Sequence, residues 1–124
     1  MKQTTTIRLM SGLALASLLT LAQPAYADTE VTGTVLKIMT VSSFSGAPGN
    51  GDLRVTLNGV STVCPGAADP TWGFINANDA NFKGIMATVA LAYSLGKPIV
   101  VGSKLETIPN AGSYCGITYI YLAA

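Results

Sequence analysis

Few residues of this 124-residue chain have side chains suited to catalysis. The sequence contains no histidine, which removes His-based catalytic triads and the commonest zinc sites. Its six carboxylates are scattered, so acid–base catalysis would require side chains that are distant in the sequence to converge. We therefore predict a protein that is not an enzyme and carries no metal or other cofactor. An enzyme that uses dispersed carboxylates is the alternative.

The N-terminus has the pattern of an export signal. Lys2 and Arg8 precede the apolar run from Leu9 to Ala22, and a small-residue cleavage pattern ends at Ala27. A membrane anchor is the alternative, but the apolar run is shorter than the roughly 20 residues that a bilayer requires. We predict a cleaved signal peptide at 1–27 and a single periplasmic or secreted domain at 28–124, without a membrane span.

Cys64 and Cys115 are the only cysteines of the chain. In an exported protein, two cysteines favour a structural disulfide. A reactive thiol pair would favour a Cys-x-x-Cys spacing and a basic neighbour, and neither is present. Closing a loop of about 50 residues would stabilise a small domain by roughly 4 kcal/mol. We predict that Cys64 and Cys115 are bonded to each other.

The charge and the polar residues of the chain indicate which class of molecule it can bind. The predicted mature chain has five basic and six acidic residues, a net charge of −1, with no basic stripe. Nucleic-acid binding normally requires an excess of positive charge, so we expect no nucleic-acid partner. A surface of Ser, Thr, Asn and Gly suits neutral polar partners such as sugars.

Two polar stretches resemble ligand-binding loops only weakly. Residues 76–81, "NANDAN", alternate oxygen ligands but lack the glycine and terminal glutamate of a calcium loop, which favours helix capping. Residues 46–51, "GAPGNG", lack the Gly-Lys-Ser/Thr sequence of a phosphate loop, which favours a hairpin loop. Neither stretch is predicted to hold a ligand.

The spacing of hydrophobic residues predicts the strands and the helix that position the candidate side chains. Asn58-Gly59 indicates a hairpin, and Pro65 ends the strand that follows it. Asn78 or Asp79 is expected to cap the helix, and Gly96 to end it. In chain order the predicted elements are strands at 31–42, 52–58 and 60–64, a helix at 79–95, and strands at 98–107 and 113–124.

This order predicts an α+β, mainly β fold. The helix must bury its apolar face against the five strands, and a helix between the third and fourth strands is the order of an OB-fold-like barrel. The disulfide would join the third strand to the fifth, and Trp72 would fill the corner beneath. Tyr119 and Tyr121 share one face of the last strand. If this face is exposed, the two tyrosines are candidates for subunit contact or for stacking against a ligand. Packing is the alternative for these aromatic residues and for Tyr114.

Part of the chain resembles the B subunits of AB5 toxins of the subtilase cytotoxin and pertussis-like type. The resemblance begins with a cysteine followed eight residues later by tryptophan, here Cys64 and Trp72. It continues with a helix end and edge strand of the form A-x-x-x-S-x-G-[KQ]-x-[VI]-x-[VI]. That pattern is matched here by Ala90, Ser94, Gly96, Lys97, Ile99 and Val101.

The resemblance implies a glycan-binding OB-fold that assembles into a ring. It implies a host-cell or surface glycan as ligand, a homo-pentamer, and a protein partner subunit. In the family the sugar contacts centre on a serine shortly before the second strand, and here Ser43 and Ser45 lie in that region, in a longer, glycine-rich loop. A stand-alone periplasmic or secreted protein-interaction domain without affinity for sugars is the alternative.

Overall fold

A computed structural model of the chain describes residues 28–42 and 51–124. The predicted signal peptide at 1–27 and the candidate residues Ser43 and Ser45 lie outside these ranges. The described elements are β1 (Thr29–Val41), β2 (Asp52–Leu57), β3 (Gly73–Asn76), α1 (Phe82–Leu95), β4 (Pro98–Ile108) and β5 (Gly112–Leu122). The mainly β class, the five strands and the single helix agree with the prediction.

The five strands form one sheet in the order β1-β2-β3-β5-β4, and β4 pairs with β1 to give a closed barrel. All neighbouring strands are antiparallel except β3 and β5, which are parallel. Alternation along β2 places Leu53, Val55 and Leu57 in the core, as its period-two pattern predicts. A bulge in β1 lies between Val35 and Lys37.

The prediction of a third strand at 60–64 is wrong. The turn at Asn58-Gly59 does form, with Gly59 at a φ of 77°. The residues after it nevertheless do not pair with β2, because β1 occupies one edge of β2 and β3 occupies the other. The third strand is instead Gly73–Asn76, a short buried segment in what the sequence indicated was a connector.

The helix packs against the barrel and buries Ile85, Val89 and Ala92 in the core. It ends at Gly96, which adopts the left-handed conformation with φ 62°, as predicted. Its start differs from the prediction: α1 begins at Phe82, and its N-cap residue, Asn81, makes no side-chain capping bond. The carboxylate of Asp79 accepts a 2.8 Å hydrogen bond from the backbone N–H of Asn81, so Asp79 stabilises the turn before the helix.

The predicted disulfide between Cys64 and Cys115 is present, with the two Cα atoms 5.7 Å apart. It joins the irregular segment after β2 to β5, since Cys64 does not lie on a strand. The bond anchors a second, smaller apolar cluster with Val63. Ser103 on β4 also holds this segment, because its buried hydroxyl donates a hydrogen bond to the carbonyl oxygen of Val63 at 3.2 Å.

Candidate functional site

The outer face of β1, β4 and β5 carries a pair of parallel tyrosine rings. Tyr119 and Tyr121 have ring planes within 12° of each other and centroids 6.2 Å apart. We call Glu30, Gly102, Tyr119 and Tyr121 the tyrosine platform. Strand register brings it together, because Gly102 pairs with Glu30 on one side and with Tyr119 on the other. Both candidate tyrosines therefore lie on the same face, as the sequence predicted.

Gly102 determines how the Tyr119 ring lies. A Cβ atom added at Gly102 would be only 2.2 Å from Cζ of Tyr119, and two further ring atoms would lie within 2.5 Å of it. The ring therefore crosses directly over β4, over the one residue in that row with no side chain. From there its hydroxyl reaches Glu30 on β1.

One carboxylate holds both phenols in place. The hydroxyl of Tyr119 donates to Oε2 of Glu30 at 2.7 Å, and the hydroxyl of Tyr121 donates to Oε1 at 3.1 Å. The hydrogen bond of Tyr119 to Glu30, reinforced by desolvation and by the negative charge of Glu30, raises the pKa of Tyr119 to about 12. The separate hydrogen bond that Tyr121 makes to Glu30 raises the pKa of Tyr121. Both phenols therefore stay protonated at neutral pH.

The tyrosine platform offers a flat surface with a polar border. Tyr121 is 48% exposed, although large aromatic side chains are usually well buried. A flat aromatic surface beside a carboxylate suits a ligand that has an apolar face and hydroxyl groups at its edge.

A groove adjoins the tyrosine platform between the start of α1 and β5. It consists of two cavities of about 310 and 210 Å³ that share Asn81, Ile85 and Thr118. The larger cavity is bordered by Tyr119, and the smaller by Asp79, Lys104 and Glu106. We call this feature the β5 groove. Tyr119 belongs both to its lining and to the tyrosine platform, so the two features adjoin at that residue.

The only tryptophan belongs to a different cluster, in which its polar and aromatic groups are already paired. The indole N–H of Trp72 donates to Asp69 at 2.7 Å, and its ring stacks on Tyr114 with centroids 5.6 Å apart. The guanidinium carbon of Arg54 lies 4.4 Å from the indole centroid. A side-chain bond from Thr71, opposed by burial, lowers the pKa of Asp69. This cluster packs the segment between β2 and β3 onto the sheet, which gives Trp72 a structural role.

Arg54 also pairs with a buried acid. Its Nε donates to Oδ2 of Asp52 at 2.7 Å, and the side chain of Asp52 is fully buried. The other oxygen, Oδ1, has no hydrogen-bond partner among the described residues. A buried carboxylate of this kind depends on its one cationic partner.

The sequence indicated the two tyrosines but missed the residues that orient them. Glu30 lies within β1, a strand distant in sequence from β4 and β5. Only the pairing of β1 with β4 and of β4 with β5 brings Glu30, Gly102 and Tyr119 into one row. The grouping of Asp79 with Lys104 and Glu106 was likewise missed, because Asp79 precedes α1 whereas Lys104 and Glu106 lie on β4. Within the described part of the chain, no group of three or more Cys, Asp or Glu side chains is arranged to hold a metal ion.

Comparisons with protein-family models, with curated proteins and with solved structures give no match to this chain. Within the described ranges, no helix has the length and apolar character needed to cross a membrane. The fold and the site together define the chain as a mainly β, disulfide-bonded domain with an exposed aromatic platform.

Proposed function

We propose that this chain is an exported, non-catalytic binding module of the OB-fold type whose tyrosine platform binds a saccharide. The strand order β1-β2-β3-β5-β4, with the helix between β3 and β4, supports the OB-fold. OB-folds bind oligosaccharides and oligonucleotides, and the negative charge of the predicted mature chain favours the former.

The observation that carries this proposal is the pair of parallel rings held by Glu30. A pyranose ring has a face of C–H bonds and a border of hydroxyls. The C–H face can pack on Tyr119 and Tyr121, while the hydroxyls can bond to the phenol oxygens and to Glu30. Because Glu30 and Gly102 already fix the Tyr119 ring, binding loses little side-chain entropy.

The proposed localisation depends on the signal peptide at 1–27. We propose that export removes this segment and that the disulfide forms in an oxidising compartment, where such bonds persist. Mass spectrometry of protein from the periplasm or the medium is expected to give a chain that begins at Asp28 with no free thiol. A chain that retains residues 1–27 would contradict this part of the proposal.

Glycan-array screening followed by calorimetry tests the saccharide proposal. Tyr121→Ala is expected to weaken binding about fivefold, the effect of losing roughly 1 kcal/mol of ring contact. Tyr93→Ala is the matched control, because Tyr93 is 56% exposed and lies on α1. Retention of no glycan, or an equal loss in both variants, would overturn the proposal.

A protein-interaction domain is the second candidate, supported by exposed apolar side chains on both flanks of α1. Met86, Leu91, Tyr93 and Leu95 are each at least 41% exposed, and Lys83 is the only charged residue of the helix. Met86 and Tyr93 lie on one flank of the helix, and Leu91 and Leu95 lie on the other, because residues four or seven apart share a side. Exposed apolar side chains are common at interfaces between proteins. This surface supports either a ring of identical subunits, as the resemblance to toxin B subunits implies, or a separate partner.

Light scattering after gel filtration distinguishes these assemblies. A ring predicts a mass of about five chains that falls to one chain in Leu91→Glu, because a buried charge without a partner is costly at an interface. Thr107→Glu is the control, since Thr107 is also exposed to solvent but lies on β4 and not on the helix. If the protein is a monomer that binds glycans, the saccharide proposal stands and the ring of identical subunits is excluded.

A further inference from the structure

The β5 groove contains charged side chains whose bonding capacity the protein itself does not use. Neither Lys104 nor Glu106 forms an ion pair or side-chain hydrogen bond with another described residue. Asp79 uses Oδ1 to accept from the Asn81 backbone, and no described residue donates to its Oδ2. Polar groups that converge on a cavity without partners are typical of a binding site.

The shape of the groove brings these groups close together. Lys104 and Glu106 lie on one face of β4, two residues apart. Glu106 is half-buried, and its carboxylate lies over Gly116, where an added Cβ atom would be 2.4 Å from Oε1. Gly116 therefore provides the space in which Glu106 lies at the cavity wall. Ile75 and Ile117 supply an apolar part of the lining.

The charges of the groove determine which ligand fits. Two carboxylates, from Asp79 and Glu106, face one ammonium, from Lys104, which leaves an excess of one negative charge. A bound ammonium group would offset this excess, and hydroxyls beside it could bond to Lys104 and Thr118. An ammonium group next to hydroxyls is the substitution pattern of an amino sugar.

We infer that the β5 groove is a subsite for the ammonium group of an amino sugar whose ring lies on the tyrosine platform. The inference rests on the proposed function, because it requires a saccharide at Tyr119 and Tyr121. Tyr119 borders the larger cavity, and the shared residues Asn81 and Thr118 connect that cavity to the charged one. A ring on the platform thus lies beside the groove that receives its substituent.

Three oligosaccharides with one backbone test the inference. Cello-, chitin- and chitosan-oligosaccharides of equal length carry a hydroxyl, an acetamido and an ammonium group at the same ring position. The full mature protein is expected to bind the ammonium probe roughly tenfold more tightly than the hydroxyl probe at low salt. Added salt should reduce this ratio of the two affinities, ammonium probe to hydroxyl probe, because the groove is open to solvent.

Variants separate the groove from the platform. The double variant Asp79→Asn, Glu106→Gln is expected to bring the ratio close to one while leaving affinity for the hydroxyl probe unchanged. Lys104→Gln is expected to increase the ratio, because it removes a like charge from beside the ligand. The double variant Ser61→Lys, Thr62→Lys is the control for net charge, because it changes the net charge by the same two units at exposed residues that border neither cavity.

The outcomes distinguish this inference from the proposed function. If the hydroxyl probe binds and the ammonium probe binds no better, the groove inference is wrong and the platform remains. If Ser61→Lys, Thr62→Lys lowers the ratio as much as Asp79→Asn, Glu106→Gln does, the preference reflects overall charge and the inference is again wrong. If none of the three probes binds, the groove inference is wrong, and the saccharide proposal is decided by the glycan array alone.

Discussion

The hydroxyl of Tyr119 lies 2.7 Å from the carboxylate of Glu30, although 89 residues separate the two in the chain. Their hydrogen bond crosses β4 above Gly102 and thereby joins the first and last strands on the outside of the barrel. The same carboxylate holds Tyr121. The geometry of the candidate site therefore depends on three strands being in register.

Gly102→Ala tests that dependence directly. The added methyl group would overlap the Tyr119 ring, so the ring must move away from β4 and lose its bond to Glu30. We expect a loss of about 1–3 kcal/mol in the free energy of unfolding, measured by urea denaturation, as for overpacked sites. We also expect a lower affinity for any platform ligand.

Gly84→Ala is the matched control for this substitution. Gly84 lies within α1, and an added Cβ atom there would have no neighbour within 4 Å. Alanine should stabilise the helix by about 0.5–1 kcal/mol relative to glycine. Equal destabilisation by the two substitutions would contradict the packing that we describe at Gly102.

The bond to Glu30 also predicts how stability depends on alkaline pH. The pKa of Tyr119 is about 12 in the folded protein, against an ordinary value of 10.0. The unfolded chain therefore releases this proton first as the pH rises. The stabilisation is complete below pH 10.0 and is lost as the pH rises from 10.0 to about 12. Spectrophotometric titration should show Tyr119 ionising near the top of this range.

Glu30→Gln isolates the cause of that shift. Glutamine can still accept a hydrogen bond but carries no negative charge, so the pKa of Tyr119 and of Tyr121 should fall. Part of the loss of stability between pH 10.0 and about 12 should disappear with it. Unchanged phenol titration in this variant would show that Glu30 does not hold the rings in solution.

The disulfide should contribute most of its stabilisation through the unfolded chain. Cys64 and Cys115 are 51 residues apart, and a cross-link of that length contributes about 4 kcal/mol in the chain-entropy model. The double variant Cys64→Ala, Cys115→Ala should therefore unfold at a much lower urea concentration than the oxidised protein. Added reductant should destabilise the parent protein and leave the double variant unaffected.

Arg54→Met should be costly because it leaves a buried carboxylate without its cation. The side chain of Asp52 is fully buried and bonds to Arg54 at 2.7 Å. We expect a loss of about 3 kcal/mol in urea denaturation at neutral pH. Adding Asp52→Leu to Arg54→Met should restore much of this loss, because the unpaired charge is then absent. A double variant as unstable as Arg54→Met would point instead to the contact of Arg54 with Trp72.

Local patterns predicted most elements of this fold. The alternation in β2, the helical spacing of Ile85 and Val89, and the glycine that ends α1 depend on residues close together in the chain. Side chains two residues apart on a strand share a face, which is why Tyr119 and Tyr121 were placed together. Two cysteines in a chain with a predicted export signal were enough to predict the disulfide.

The third strand shows where local patterns failed. Asn58-Gly59 favours a hairpin, and the turn forms, but both edges of β2 are occupied by other strands. Gly73–Asn76 pairs with β2 and β5 although its four residues carry no strong strand signal. Which segment takes a vacant edge depends on the free energy of the whole barrel, since β propensity depends strongly on context.

The sequence by itself determined the chemistry that is available: no histidine, two cysteines that pair, and two tyrosines on one strand face. Only the tertiary structure decided that Glu30 holds both phenols, that Gly102 lies beneath a ring, and that Asp79 and Glu106 border one groove. The physical reason is that side-chain alternation is a local property of a strand. Register between strands arises only when distant segments pair around a common core.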